Sequence, residues 1–137
     1  MTDALRLIRK LTRRSEFLAC AKAPYCAKGA IVVQARPRED DDALVRVGFT
    51  ATKRIGGAVQ RNRAKRRMRE AARQILPLMA TPGTDYVIIA RNGVITRDWT
   101  RLLDDVKSAL LRLATERSAP HVSGPAPSPV GNPRPRS

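Results

Sequence analysis

Residues 61–70, RNRAKRRMRE, set six cations against a single acid, Glu70. Charge this dense cannot lie in a protein interior, so the segment folds only if apolar residues recur along one side of it. They do. On a helical wheel at about 100° per residue, Ala64, Met68, Ala71, Ala72, Ile75 and Leu76 collect in an arc of roughly 140°. The spacing predicts a helix opened by Gly56-Gly57 and running to about Ile75, with Pro77 and Pro82-Gly83 beyond it. Docking that arc on a sheet contributes several kcal/mol, at about 25 cal/mol per Å² of apolar area buried, enough to hold the helix against its own charge. Arg61, Lys65, Arg69 and Arg73 then form a strip beginning beside the arc, while Arg63, Arg66 and Arg67 face outward.

The sheet is legible on either side of this helix. GAIVVQAR (29–36) is a β-branched run closed by Pro37, and LVRVGFTATK (44–53) alternates, with Val45, Val47, Phe49 and Ala51 on one face and Arg46, Gly48, Thr50 and Thr52 on the other. These two are expected to pair as a hairpin across the exposed loop 36–43, whose Glu39–Asp42 is the one dense acidic patch. DYVIIAR (85–91) is a third strand, turned by Asn92-Gly93. A first helix is expected over 13–23, with Ser15 as its cap and Pro24 as its stop. A last helix runs from an Asp98 cap to about residue 115, with Leu102, Leu103, Val106, Leu110 and Leu113 as its stripe. Trp99 is expected to pack near that helix start, Phe49 to be core, and Asp104-Asp105 to be exposed. Residues 1–12 read as a loosely held basic arm. The resulting class is α+β, a small, mostly antiparallel sheet with helices in αββαβα order, in one domain over 1–115. Residues 116–137, with six prolines and no apolar pattern, read as a disordered tail.

Charge narrows the partner. The chain carries 27 Lys+Arg against 12 Asp+Glu, a formal +15, and the basic helix lacks the interleaved acids that normally neutralise a solvated helix face. A polyanion fits that deficit, most simply nucleic acid, and the excess of Arg over Lys suits bidentate phosphate contact. A membrane-surface helix would set bulky Trp, Phe or Leu opposite its cations, whereas this arc is rich in Ala; no apolar run is long enough to span a bilayer. The N-terminus has no apolar secretory core, which points to the cytoplasm. Cys20, Cys26 and His121 are too few ligands for a zinc site, and the two thiols are expected to be free, with a disulfide possible but unforced. No Ser/His/Asp set and no paired carboxylates stand beside the basic helix, so no side chain is assigned to catalysis or to metal.

The run Lys53-Arg54-Ile55-Gly56-Gly57-Ala58-Val59-Gln60-Arg61-Asn62-Arg63-Ala64-Lys65-Arg66, preceded by VGFTATK and followed by DYVIIAR, resembles the signature of the bacterial ribonuclease P protein subunit. The resemblance covers about residues 7–115. It implies a left-handed βαβ crossover carrying the basic helix, a catalytic RNA as partner, and precursor tRNA as substrate, cut to release its 5′ leader with no obligate protein partner. Mg²⁺ would be bound mainly by the RNA subunit and the substrate. The resemblance assigns RNA contact to Arg61, Asn62, Arg63, Lys65, Arg66, Arg67 and Arg69, with Arg63, Arg66 and Arg67 toward the catalytic RNA. Lys53, Arg54, Arg13 and Arg14 would add cations. The leader would lie in a cleft between sheet and helix, met by Phe17, Thr50, Thr52, Lys65 and Arg69. Where the family carries further cleft aromatics this chain has Ala21 and Gln34, with Tyr25 as the aromatic available to compensate; Gly57 stands where Asn is common, leaving the helix start without a side-chain cap. A stand-alone RNA-binding protein of ribosomal type and a DNA-binding protein are the competing classes.

Overall fold

The computed structural model describes residues 8–38 and 42–118. Thr84–Ala90 is buried at every position but Ile89, a strand covered on both faces, and the sheet is built around it. In chain order the strands are β1 (Ile8–Lys10), β2 (Tyr25–Lys28), β3 (Ile31–Pro37), β4 (Val45–Thr50) and β5 (Thr84–Ala90); the helices are α1 (Arg14–Ala21), α2 (Ala58–Met79) and α3 (Trp99–Ser118), with a 3₁₀ turn at Lys53–Ile55. The sheet order is β1-β4-β5-β3-β2. β4 pairs in parallel with both β1 and β5, while β3 pairs antiparallel with both β5 and β2.

The expected α+β sheet is therefore present but mixed. The hairpin expected between 29–36 and 44–53 does not form, because β5 lies between them. A strand as apolar as Tyr86-Val87-Ile88-Ile89 needs neighbours on both edges, and α2 returns it parallel to β4. Two short strands were not expected. β1 occupies the supposed basic arm and is followed by a buried Leu11, whose N–H donates to the Val47 carbonyl at 2.9 Å. β2 lies in 25–28, too short for periodicity to show.

The helix boundaries shift in explicable ways. Ser15 falls inside α1; the Glu16 carboxylate accepts the Arg13 N–H at 3.1 Å and closes that first turn instead. α2 carries Pro77 in its last turn rather than stopping before it. α3 opens on the expected Asp98, whose carboxylate accepts the Arg101 N–H at 3.3 Å, and continues to Ser118. The tail from 119 onward with His121, the first seven residues, and acids 39–41 lie outside the described residues.

One face of the sheet carries the main core. Ile31, Val33, Val45, Val47, Tyr86 and Ile88 meet all six residues of the α2 arc, together with Leu102, Val106, Leu110 and Leu113 of α3. The other face carries α1 over a much smaller cluster of Leu11, Cys20 and Val87, flanked by Phe17 and Ile89. Cys20 belongs to that face and Cys26 to the main core, so the sheet separates the two free thiols.

Asp104 is exposed as expected, but Asp105 is not: it is 5% exposed. Its Oδ2 accepts the Ala30 N–H at 3.1 Å, and Arg97 donates to both of its oxygens at 3.0 Å, joining α3 to the β2–β3 turn. Gly29 makes the approach possible. Its φ is +52°, and a Cβ there would stand 2.2 Å from Asp105 Oδ2. Gly29→Ala should therefore lower unfolding free energy by roughly 2 kcal/mol, read as a lower denaturant midpoint at an unchanged m-value.

Candidate nucleic-acid interface

α2 presents three different environments to its cations. Asn62, Arg63, Arg66 and Arg73 are exposed on the side away from the core. Arg73 meets Glu70 at 3.4 Å, but both side chains are well exposed, so this pair neutralises little. On the flank beside β4, Lys65 is half-buried and the Arg69 guanidinium sits 5.8 Å from the Phe49 ring centroid. Near the helix start, Arg61 is half-buried and donates to the Gly56 carbonyl at 3.3 Å. Gly57 precedes the helix with no side-chain cap, as its identity implied.

Arg67 departs from its expected outward position. Its NH1 donates to the carbonyls of Val94 and Ile95 at 2.7 and 2.8 Å, and its guanidinium lies 5.5 Å from the Trp99 ring centroid. Positions 67 and 69 are about 200° apart on a helix, so they occupy opposite flanks. Arg67 clamps α2 to the segment that leads into α3, while Arg63 and Arg66 remain toward solvent.

Lys53 and Arg54 are exposed in the 3₁₀ turn just past the end of β4; the Thr52 hydroxyl accepts the Arg54 N–H at 3.4 Å and caps that turn. Arg13 and Arg14 are exposed at the start of α1. The two pairs lie near opposite ends of β4, because α1's Glu16 contacts Arg46 at the beginning of that strand.

The residues expected at the leader divide between the faces of β4. Phe17 stands over Gly48, where a Cβ would be 2.4 Å from its Cζ, so only glycine leaves room for the ring. Thr50 is registered with Ile89 on that same face, and Tyr25 with Gln34. Arg69, beside Phe49, belongs to the helix-covered face. β1 pairs only with Val45–Val47, so the far end of β4 has no strand neighbour on that edge. Ala21 is exposed and supplies no aromatic surface.

Sequence reasoning missed the charge cluster at the other end of this face. Asp85 is wholly buried. It accepts from Arg36 at 3.3 Å, from Arg38 at 2.8 Å, and from Arg46 through Nε and NH2, both at 2.8 Å. Arg46 also pairs with Glu16. The available signal was an acid opening an otherwise apolar strand, with arginines on the polar alternation of β3 and β4. The Asp85 hydrogen bond, opposed by partial burial, raises the Arg46 guanidinium above its ordinary range. Cys20 lies against the Asp85 carbonyl at 3.8 Å, and burial, reinforced by the Asp85 charge, pushes its thiol up to about 12, too high for a nucleophile at neutral pH.

Among the described residues no three His, Cys, Asp or Glu side chains come together as a metal site, and no helix is long and apolar enough to cross a membrane. A mixed sheet, a parallel β4–α2–β5 crossover whose outer side is unneutralised arginine, and a half-open aromatic face opposite it define a small α+β protein built to hold a polyanion. A family model for ribonuclease P matches residues 5–114. The ribonuclease P protein component of Caulobacter vibrioides is 64% identical over 107 residues, covering 78% of this chain and 72% of that one. That of Ruegeria pomeroyi is 50% identical over 105 residues, covering 75% and 84%. Among solved structures, the RNase P protein of Staphylococcus aureus superposes with a TM-score of 0.63 at 23% identity, covering 77% of this chain and 94% of that one. The Thermotoga maritima protein gives 0.57 at 25%, covering 84% and 98%. The chain belongs to the ribonuclease P protein component family.

Proposed function

We propose that this chain binds the catalytic RNA of ribonuclease P through the outer side of α2 and receives the 5′ leader of precursor tRNA on the α1 face of the sheet, promoting 5′ maturation in the cytoplasm. The observation that carries this reading is the separation of two surfaces. Arg63, Arg66 and Arg73 form an exposed strip with little acid to oppose it, suited to a folded RNA. On the other side of the sheet Phe17 is half-buried, so part of its ring is available to stack on a base. Lys53 and Arg54 at one end of β4, and Arg13 and Arg14 near the other, lie where an extended strand crossing that face would bring its phosphates.

The chemistry is assigned to the RNA. Mg²⁺ supplies charge stabilisation and an activated water in such cleavage, but among the described residues the two buried carboxylates, Asp85 and Asp105, do not suit a protein-held ion, since each is already bound by arginine. In this reading the metal is held by RNA and substrate, and this chain's residues bind and orient.

Reconstitution with a bacterial ribonuclease P RNA at low Mg²⁺ tests the reading, with precursor-tRNA cleavage as the readout. Stimulation is expected; no stimulation, or cleavage by the protein without RNA, would overturn it. Phe17→Ala should weaken binding of a leader-bearing precursor by about 1–3 kcal/mol, the range for one base–aromatic stack, and leave mature tRNA unaffected. Equal losses for both would make Phe17 a packing residue only.

A further inference from the structure

α1 is eight residues long, and the apolar cluster beneath it is small. That little area does not by itself fix where a two-turn helix stands over a sheet. Directional contacts do. Arg46 projects from β4 on the α1 side and holds both Asp85 oxygens in a fork, a geometry that fixes the guanidinium plane. Its remaining NH1 donates to one oxygen of Glu16 on α1. The other Glu16 oxygen accepts the Arg13 N–H, so one carboxylate both ties α1 to the sheet and closes its first turn. Glu16 and Arg46 side chains are only 15% and 24% exposed, which limits screening by solvent.

The next residue along α1 is Phe17, and the next residue on the same face of β4 is Gly48, over which that ring lies. Ion pair and ring contact are thus adjacent in both elements, and a shift in one moves the other.

We propose that Asp85, Arg46 and Glu16 form a positioning relay that sets the height and register of α1 over β4, and through Phe17 the aperture of the leader cleft; the proposal rests on the cleft reading above. Asp85, held also by Arg36 and Arg38, is the anchored end, and Glu16 is the end that releases or holds the helix. The relay acts on the leader through Phe17.

Glu16→Gln keeps the side-chain shape and removes the charge. In the holoenzyme reconstituted from the full chain, two precursors separate its effects: one with a leader several nucleotides long, one with the leader trimmed to a single nucleotide. KM for the long-leader substrate should rise about five- to tenfold with kcat unchanged, as expected for lost ground-state binding. The trimmed substrate should not change, and in a Phe17→Ala background the substitution should add nothing. Hydrogen exchange on the free protein gives a readout independent of substrate. Amides of 14–21 should exchange about tenfold faster, from a lower local opening free energy, and those of α2 should not change. Unchanged exchange in α1, or acceleration spread evenly over the molecule, overturns the relay. Selective acceleration in α1 with both substrates affected alike upholds the relay and sinks the cleft reading, as would a wild-type holoenzyme that does not distinguish the two precursors.

Discussion

Asp85→Ala should lower the unfolding free energy by about 3 kcal/mol, close to the cost of breaking a buried ion pair by removing one partner. The carboxylate is 0% exposed and is the acceptor shared by Arg36, Arg38 and Arg46. Without it three guanidinium groups converge on an empty centre. Arg38, with its side chain 5% exposed, loses the Asp85 acceptor of its NH1 while its NH2 keeps the carbonyls of Asp42 and Leu44. Arg36 and Arg46, at 36% and 24%, rehydrate in part, which keeps the cost at the lower end of the range. A loss of this size moves the melting temperature down by roughly 10–20 °C in a domain of this length. Asp104→Asn is the matched control: exposed on α3, it should stay within about 0.5 kcal/mol of the parent. A change below about 1 kcal/mol for Asp85→Ala would mean that the arginines find other acceptors and that the cluster is not what anchors β3, β4 and β5 at this end.

Asp85 also shows where sequence reasoning stopped. The α2 arc was legible because six apolar positions at helical spacing have one physical solution, and all six are buried. The α3 stripe and its Asp98 cap were legible for the same reason. Pairing of strands was not, since nothing local in 29–36 or 44–53 says that a strand forty residues later will insert between them. Charged residues were the least legible. Asp105 and Asp104 are neighbours of one type, yet only Asp105 meets the Ala30 N–H and Arg97, through a turn glycine at position 29 that the sequence pattern had placed at the head of a strand. Periodicity sorts apolar from polar; it does not sort a cation facing solvent from one buried against a carboxylate or a carbonyl.

Arg67 turns that limit into an experiment. Arg63→Ala with Arg66→Ala should flatten the dependence of log affinity for ribonuclease P RNA on log salt by about two units, one for each phosphate no longer neutralised. Affinity at low salt should fall by roughly 10- to 100-fold, with thermal stability unchanged, since both side chains are exposed. Arg67→Ala belongs to the same basic run yet should behave oppositely. Its NH1 is committed to the Val94 and Ile95 carbonyls and its plane lies over Trp99, so its removal should cost about 1–2 kcal/mol of stability and leave the salt slope as it was. Arg67→Lys keeps the charge but cannot reproduce a planar group spanning two carbonyls and a ring, so it should be destabilised nearly as far while binding RNA normally. If Arg67→Ala instead flattens the slope as each outward arginine does, the guanidinium leaves its carbonyls to meet phosphate on assembly, and the segment at 94–95 is released when the RNA binds.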